Sequence, residues 1–196
     1  PGQETVLPHE APWRIAGEVL HTYIVCEDES GNIWLIDKHA AHERVNFDRL
    51  MAAKEPPMRQ TLLQPIAVEP GREDAALLLE NLELLEQLGF GCEDFGDGAI
   101  LVREIPADMD AADTAATLEE FAQNLRTGRN LDEKREALLH TMACKAAIKG
   151  GQRNSPAELL KVAQAVMSGA VKYCPHGRPV AIELTRQQLE KRFGRA

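Results

Sequence analysis

The sequence contains no run approaching the roughly 20 consecutive apolar residues that a membrane-spanning helix requires, which excludes a helical membrane protein from the outset. It also lacks the basic-then-apolar opening of a signal peptide, beginning instead Pro1-Gly2-Gln3-Glu4-Thr5. A soluble, cytoplasmic protein is the expectation. Cysteine is scarce: Cys26, Cys92, Cys144 and Cys174 show nothing of the dense spacing of a disulfide framework. Reduced thiols follow, with metal ligation and simple burial as their competing uses. Basic residues are outnumbered, 22 Lys and Arg against 31 Asp and Glu, for a net charge of −9. Nonspecific DNA affinity comes mainly from Lys and Arg neutralising phosphates, so a chain this acidic does not bind DNA tightly unaided. A DNA substrate would have to be delivered. Internal repeats and low-complexity segments are absent, and the Pro/Gly-containing start without Met reads as a fragment cut at a linker.

What is present suffices for one large domain or two small ones, with 44% apolar content over 196 residues. From Trp13 to Val25 the chain is rich in β-branched and aromatic residues, and the turn formers Glu29-Ser30-Gly31-Asn32 precede the apolar run Ile33-Trp34-Leu35-Ile36. This predicts a β-hairpin. Beyond Ile36, Ala40, Ala41, Val45, Phe47 and Leu50 recur among charged residues with no Gly or Pro before Pro56, which predicts a helix with Asp37 at its start. Glu55-Pro56-Pro57 ends it. A second unit follows, with a short strand at Ile66-Ala67-Val68, a Leu-rich helix from Glu73 to Leu88, a strand around Ile100-Leu101-Val102 and a helix from Thr117 to Leu125. The chain turns helical again from Leu131 through Lys149, ending at Gly150-Gly151. Ser155-Pro156-Ala157-Glu158 combines an N-cap, a Pro at the first helical position and a capping-box Glu, and so starts a helix reaching about Ser168. Val180 to Leu184 reads as a strand, and Thr185 with Gln188 opens a last short helix. The class is α+β.

Two groups of residues carry chemistry. His39 and Glu43 are spaced i, i+4 on the predicted helix, on one face, with Asp37 just before them. The same spacing occurs on many solvated helices, and an Asp at a helix start is ordinarily an N-cap. His42 points elsewhere and reads as a surface residue. In Cys174-Pro175-His176-Gly177-Arg178-Pro179 the prolines and glycine hold the chain out of regular structure, and a thiolate and an imidazole two apart in extended backbone project to one side. The competing reading is a tight turn with a buried Cys. Cys144, among small neighbours, reads by itself as helix packing.

Together these pieces resemble the C-terminal endonuclease region of the MutL DNA mismatch-repair family. Asp37-Lys38-His39-Ala40-Ala41-His42-Glu43 with Asp48 resembles its Asp-Gln-His-Ala, two residues, Glu, four residues, Glu motif; Ala143-Cys144-Lys145 resembles Ala-Cys-Arg; Cys174 to Pro179 matches Cys-Pro-His-Gly-Arg-Pro; and Phe193-Gly194-Arg195 resembles Phe-x-Arg. All four occur in the family's order. The resemblance implies a sheet-and-helix dimerisation subdomain, residues 1–55 and 131–196, interrupted by a smaller α+β regulatory subdomain at 56–130. Inside that insertion Gln60-Thr61-Leu62-Leu63-Gln64-Pro65 looks like the family's sliding-clamp motif, which makes Gln60, Leu63 and Pro65 candidate clamp contacts. Lys38 replaces the motif's Gln, adding a positive charge to serve phosphate, and Asp48 replaces its last Glu as an outer-sphere acid with shortened reach.

The implied activity is DNA nicking, in which an ion activates water and neutralises charge on the phosphate. Asp37, His39, Glu43, Cys144, Cys174 and His176 are the expected ligands, with Cys and His favouring tightly bound Zn2+ and the resemblance implying Mn2+ or Mg2+ for turnover. Arg178 is assigned to catalysis with Asp37, His39, Glu43 and Asp48, while Lys145, Lys149 and Arg195 are phosphate-binding candidates. The implied partners are DNA, held weakly by this chain alone, the β sliding clamp, a second copy of the chain, and the mismatch-recognition protein MutS through the full-length protein; no membrane is involved. The alternative is a noncatalytic dimerisation and partner-binding module with a structural zinc, against which stand the two carboxylates Asp37 and Glu43. A nucleobase deaminase would need His-x-Glu followed by Pro-Cys-x-x-Cys, and neither spacing is present.

Overall fold

In a computed structural model, which describes residues 12–148, 151 and 153–195, the chain order is β1 (Trp13–Val19), β2 (Tyr23–Asp28), β3 (Ile33–Asp37), α1 (Lys38–Ala52), β4 (Arg59–Val68), α2 (Arg72–Glu80) and α3 (Leu82–Gln87). There follow β5 (Gly91–Gly96), β6 (Ala99–Pro106), α4 (Thr114–Thr127), α5 (Leu131–Lys145), α6 (Pro156–Met167), β7 (Ala181–Leu184) and α7 (Arg186–Arg192). The fold is α+β, as the sequence predicts. No described helix is long and apolar enough to cross a membrane. The chain forms two compact units: residues 1–42 with 148–196, and residues 43–147. These limits differ from those read along the sequence, 1–55, 56–130 and 131–196, because the later part of α1 and all of α5 share the core of the second unit through Phe47, Leu50, Leu138, Leu139 and Met142.

The first unit is an antiparallel sheet in the order β1-β2-β3-β7. The segment from Trp13 to Val25 is not one strand, because it reverses at Leu20-His21, two residues with left-handed backbone (φ 54 and 47) that carry no compositional turn signal. The β2–β3 turn is the one expected. There the Asp28 carboxylate accepts bonds from the amides of Ser30 and Asn32 and from Trp34 Nε1. The Trp34 bond, followed by that from Asn32, holds the Asp28 carboxyl below its ordinary value. Leu159, Val162, Ala163 and Val166 recur at helical spacing on the buried face of α6, in the same unit as the fully buried Ile24, Cys26 and Ile36. The capping box at Ser155 and Glu158 forms as the sequence predicts, and so does that at Thr185 and Gln188.

The second unit is a three-stranded sheet, β4-β6-β5, whose core joins Val68, Ile100, Val102 and Ile105 to Leu78, Leu85, Leu118, Phe121 and Leu138. β5, rich in Gly and acidic residues, gives no strand signal in the sequence and pairs because the tight turn Gly96-Asp97-Gly98, at φ 85, 51 and 83, folds it onto β6. Asn81 divides the predicted 73–88 helix into α2 and α3, its side-chain amide donating to Leu77 O. Phe90 and Phe121 meet edge to face at 5.4 Å. Between α4 and α5, Asn124 donates to Thr141 Oγ1, which donates to Glu120.

Phe121 is fully buried at the centre of this core. Phe121→Ala should lower the unfolding free energy by about 3–5 kcal/mol, measured by denaturant titration, whereas a loss under about 1 kcal/mol would contradict the assigned packing.

Candidate metal centre

Asp37 ends β3, and its Oδ1 accepts the amide protons of His39 and Ala40, both at 3.0 Å. It is therefore the N-cap of α1. His39, two residues on, is turned so that Nδ1 lies 2.8 Å from the carbonyl oxygen of Ile148. A carbonyl only accepts, so Nδ1 carries a proton, and in the neutral ring Nε2 is then the lone-pair nitrogen, the state in which imidazole ligates a metal. His42, expected at the surface, is half-buried, and its Nδ1 accepts the amide proton of Ile148 at 2.9 Å. The backbone of one residue, Ile148, is thus held at its amide and at its carbonyl by two histidines of one helix. α5 stops at Lys145, short of the Lys149 expected from the sequence, and beyond it the Ile148 backbone is engaged by these side chains. Gly150 and Lys149 lie outside the described residues.

Lys38 departs from the role expected of it. Its side chain is fully buried, with Nζ 2.6 Å from Glu18 Oε1 and 2.7 Å from Asn154 Oδ1. A buried ammonium has to be paired, and these partners hold it away from any phosphate.

In the second unit Glu43 is a buried carboxylate, only 4% exposed, on α1 one turn beyond His39. Cys144, partly exposed near the end of α5, has its sulfur within 4.8 Å of a Glu43 oxygen. His140, one turn before Cys144, also has a ring nitrogen within 4.8 Å of Glu43. The sequence reading passed over His140, although its i, i+4 spacing to Cys144 on a predicted helix is the same signal that singled out His39 and Glu43. Asp37 and Cys174 join no grouping of three such donors among the described residues.

Cys174 is buried in a reversal closed by Cys174 N–H to Arg178 O and Gly177 N–H to Cys174 O, with Gly177 at φ 79. His176 and Arg178 are exposed on that turn. Asp48 lies about 140° around α1 from Glu43 by helix geometry and accepts from Arg44 Nε at 2.8 Å. Lys145 pairs with Glu120 at 3.5 Å. Arg195, exposed, follows α7, its amide bonded to Glu190 O. The clamp-like segment sits inside β4: pairing jumps from Thr61↔Glu104 to Ile66↔Val102, so Leu62 to Pro65 bulge out of the ladder. Leu63 is fully exposed and Pro65 exposed, whereas the Gln60 amide donates to Pro106 O and Met109 O.

Of the other two thiols, Cys26 is buried and Cys92 half-buried. Burial pushes the Cys26 thiol up to about 11 and the Cys92 thiol up to about 12. Thiolate is the reactive form, so at pH 8 iodoacetamide should label Cys26 roughly a hundredfold more slowly than an ordinary thiol, and Cys92 more slowly still. Peptide mapping after a short pulse checks this, and labelling of either ahead of Cys144 would contradict it.

Residues 16–154 match the family model described as the MutL C terminal dimerisation domain. The chain is 39% identical over 201 residues to the DNA mismatch repair protein MutL of Acidiphilium cryptum, covering 97% of this chain and 34% of that protein. It is 38% identical over 186 residues to the MutL of Chelativorans sp., covering 91% and 30% respectively, and 35% identical over 187 residues to that of Caldanaerobacter subterraneus, covering 93% and 31%. The chain spans about a third of the length of the curated relatives it matches.

Proposed function

The chain belongs to the MutL C-terminal dimerisation domain family, and from that premise we propose that it is a metal-dependent DNA-nicking region of a mismatch-repair protein, homodimeric and activated by the replication sliding clamp. The observation that carries the metal reading is the buried Glu43 carboxylate, which has the Cys144 sulfur within 4.8 Å in one donor grouping and a His140 ring nitrogen within 4.8 Å in another. Carboxylate, imidazole and thiolate together suit a borderline-soft divalent ion, so the donor chemistry fits zinc.

The proposed ligand set is Asp37, His39, Glu43, Cys144, Cys174 and His176, with Zn2+ held tightly and Mn2+ or Mg2+ used in turnover. When bound, such an ion would supply an activated water and charge neutralisation at the scissile phosphate. The protein's own contribution is positional. The Ile148 carbonyl holds the His39 ring and its tautomer, and Asp37, with Oδ1 committed to the amides of α1, has Oδ2 for ligation. Arg178, exposed on the Cys174–Pro179 turn, is suited to bidentate phosphate contact; Lys149 and Arg195 are further candidates, and Lys145 would first have to leave Glu120. Asp48, paired with Arg44, would orient that arginine.

The DNA substrate is inferred from the relatives' mismatch-repair names, and contact with MutS would be a property of the full-length protein. At a net charge of −9 the chain would not hold DNA unaided, which makes the clamp part of the mechanism. The protruding Leu63 supports that contact. Dimerisation draws support from the family description and from exposed apolar residues of the first unit, among them Leu20, Tyr173 and Ile182. A noncatalytic module with a structural zinc has the same Cys and His chemistry in its favour. Nicking separates the two.

On supercoiled plasmid with Mn2+ and clamp present, Asp37→Asn and Glu43→Lys should each reduce nicking at least a hundredfold without abolishing dimerisation; an unchanged rate would sink the catalytic assignment. In clamp pull-downs Leu63→Ala should remove binding, and Gln60→Ala should weaken it. Retained capture by the Leu63→Ala, Gln60→Ala double variant would exclude this segment as the contact.

A further inference from the structure

The fully buried Lys38 ammonium reaches two separate stretches of chain at once: Glu18 Oε1 near the end of β1, at 2.6 Å, and Asn154 Oδ1, just before α6, at 2.7 Å. A charge taken wholly out of water is tolerated only with such partners, so it fixes their positions as firmly as they fix its own. Two main-chain bonds join the same three stretches. The Lys38 amide donates to Thr22 O, and the Gly151 amide donates to His21 O at 2.9 Å, so the left-handed reversal at Leu20-His21 is clasped by the start of α1 and by the chain that follows α5. That following chain is held at Ile148 by His39 and His42, at Gly151 by His21, and at Asn154 by Lys38. All of these residues belong to the first unit.

We propose that Lys38 is a positioning residue: paired with Glu18, it latches Asn154, and with it the return of the chain from Ile148, to the start of α1, and so keeps the Ile148 carbonyl on His39 Nδ1. Glu18 is the counter-charge that a lysine in place of the motif's Gln requires. The inference rests on the metal-centre reading for what the His39 ring is held ready to bind, whereas the latch itself is measurable in the metal-free chain. The competing role is a purely structural ion pair, whose loss would lower stability without loosening Ile148 selectively.

Two variants open the latch without leaving a buried charge unpaired. Asn154→Ala cuts the bond to the returning chain and keeps the ion pair. Lys38→Met combined with Glu18→Gln removes both charges together, a replacement that commonly leaves stability little changed. Val162→Ala, on the buried face of α6, is the control for simple loss of stability. In the metal-free chain, amide hydrogen exchange is followed at Ile148 against the amides of β2 and β3, and nitrogen NMR of the His39 ring reports which nitrogen carries the proton. A positioning role predicts that both latch variants speed exchange at Ile148 at least about tenfold relative to the sheet and deplete the Nδ1–H form of His39, whereas Val162→Ala does neither. Zinc affinity, measured by competition with a chromophoric chelator, should fall roughly tenfold in both latch variants. If Ile148 protection and the His39 ring stay as in the parent, the latch is overturned, while zinc binding by the parent would still support the metal centre. If both change and zinc affinity does not, the positioning role is overturned. A parent chain that binds no Zn2+ removes the metal-centre reading and, with it, any role for Lys38 in positioning a ligand.

Discussion

The backbone amide and carbonyl of Ile148, which belong to successive peptide groups, are both held by α1. Its carbonyl accepts from His39 Nδ1 and its amide donates to His42 Nδ1. A backbone amide and carbonyl are obligatory hydrogen-bonding groups, and here the helix that would have satisfied them has ended three residues earlier, at Lys145. Two features depend on this exchange. The return of the chain toward α6 is tied to the first turn of α1, and His39 directs an Nδ1 proton at the Ile148 carbonyl.

The start of α1 is held with comparable care. Asp37 caps its first amides, and Lys38, where the family motif has Gln, is drawn inward to Glu18 and Asn154. A lysine so buried is tolerated only with its partners in place, so this residue, which looks like a phosphate ligand in the sequence, serves to anchor β1 and the Asn154 segment against the helix start. The local chemistry invited one reading, and burial decided for another.

Legibility differed sharply among the elements. Helix starts marked by capping boxes, at Ser155 and Thr185, were readable because the signal lies within four residues. The reversal at Leu20-His21 and the acidic edge strand β5 were not, because the first adopts left-handed backbone without glycine and the second is a strand only by virtue of its pairing with β6. In the candidate centre, His39 and Glu43 were legible from helical spacing. His140 has the same spacing to Cys144, but its approach to Glu43 depends on which way α5 faces, and that follows from the packing of Leu139 and Met142 beside Phe47 and Leu50.

By itself the sequence determined the α+β class, the reduced state expected of four sparse cysteines, an acidic balance unsuited to autonomous DNA binding, and the donor residues in their motif order. These follow from composition and from spacings of a few residues. Only the tertiary structure decided which donors face one another and which basic residues are already committed. It also turned the clamp-like segment into a bulge that lifts Leu63 out of the sheet while Gln60 is tied down beside Pro106. The reason is physical: ion pairing, hydrogen bonding and strand register are contacts between residues up to about 150 positions apart in the chain. No local periodicity encodes which of several chemically competent side chains the folded core will turn inward.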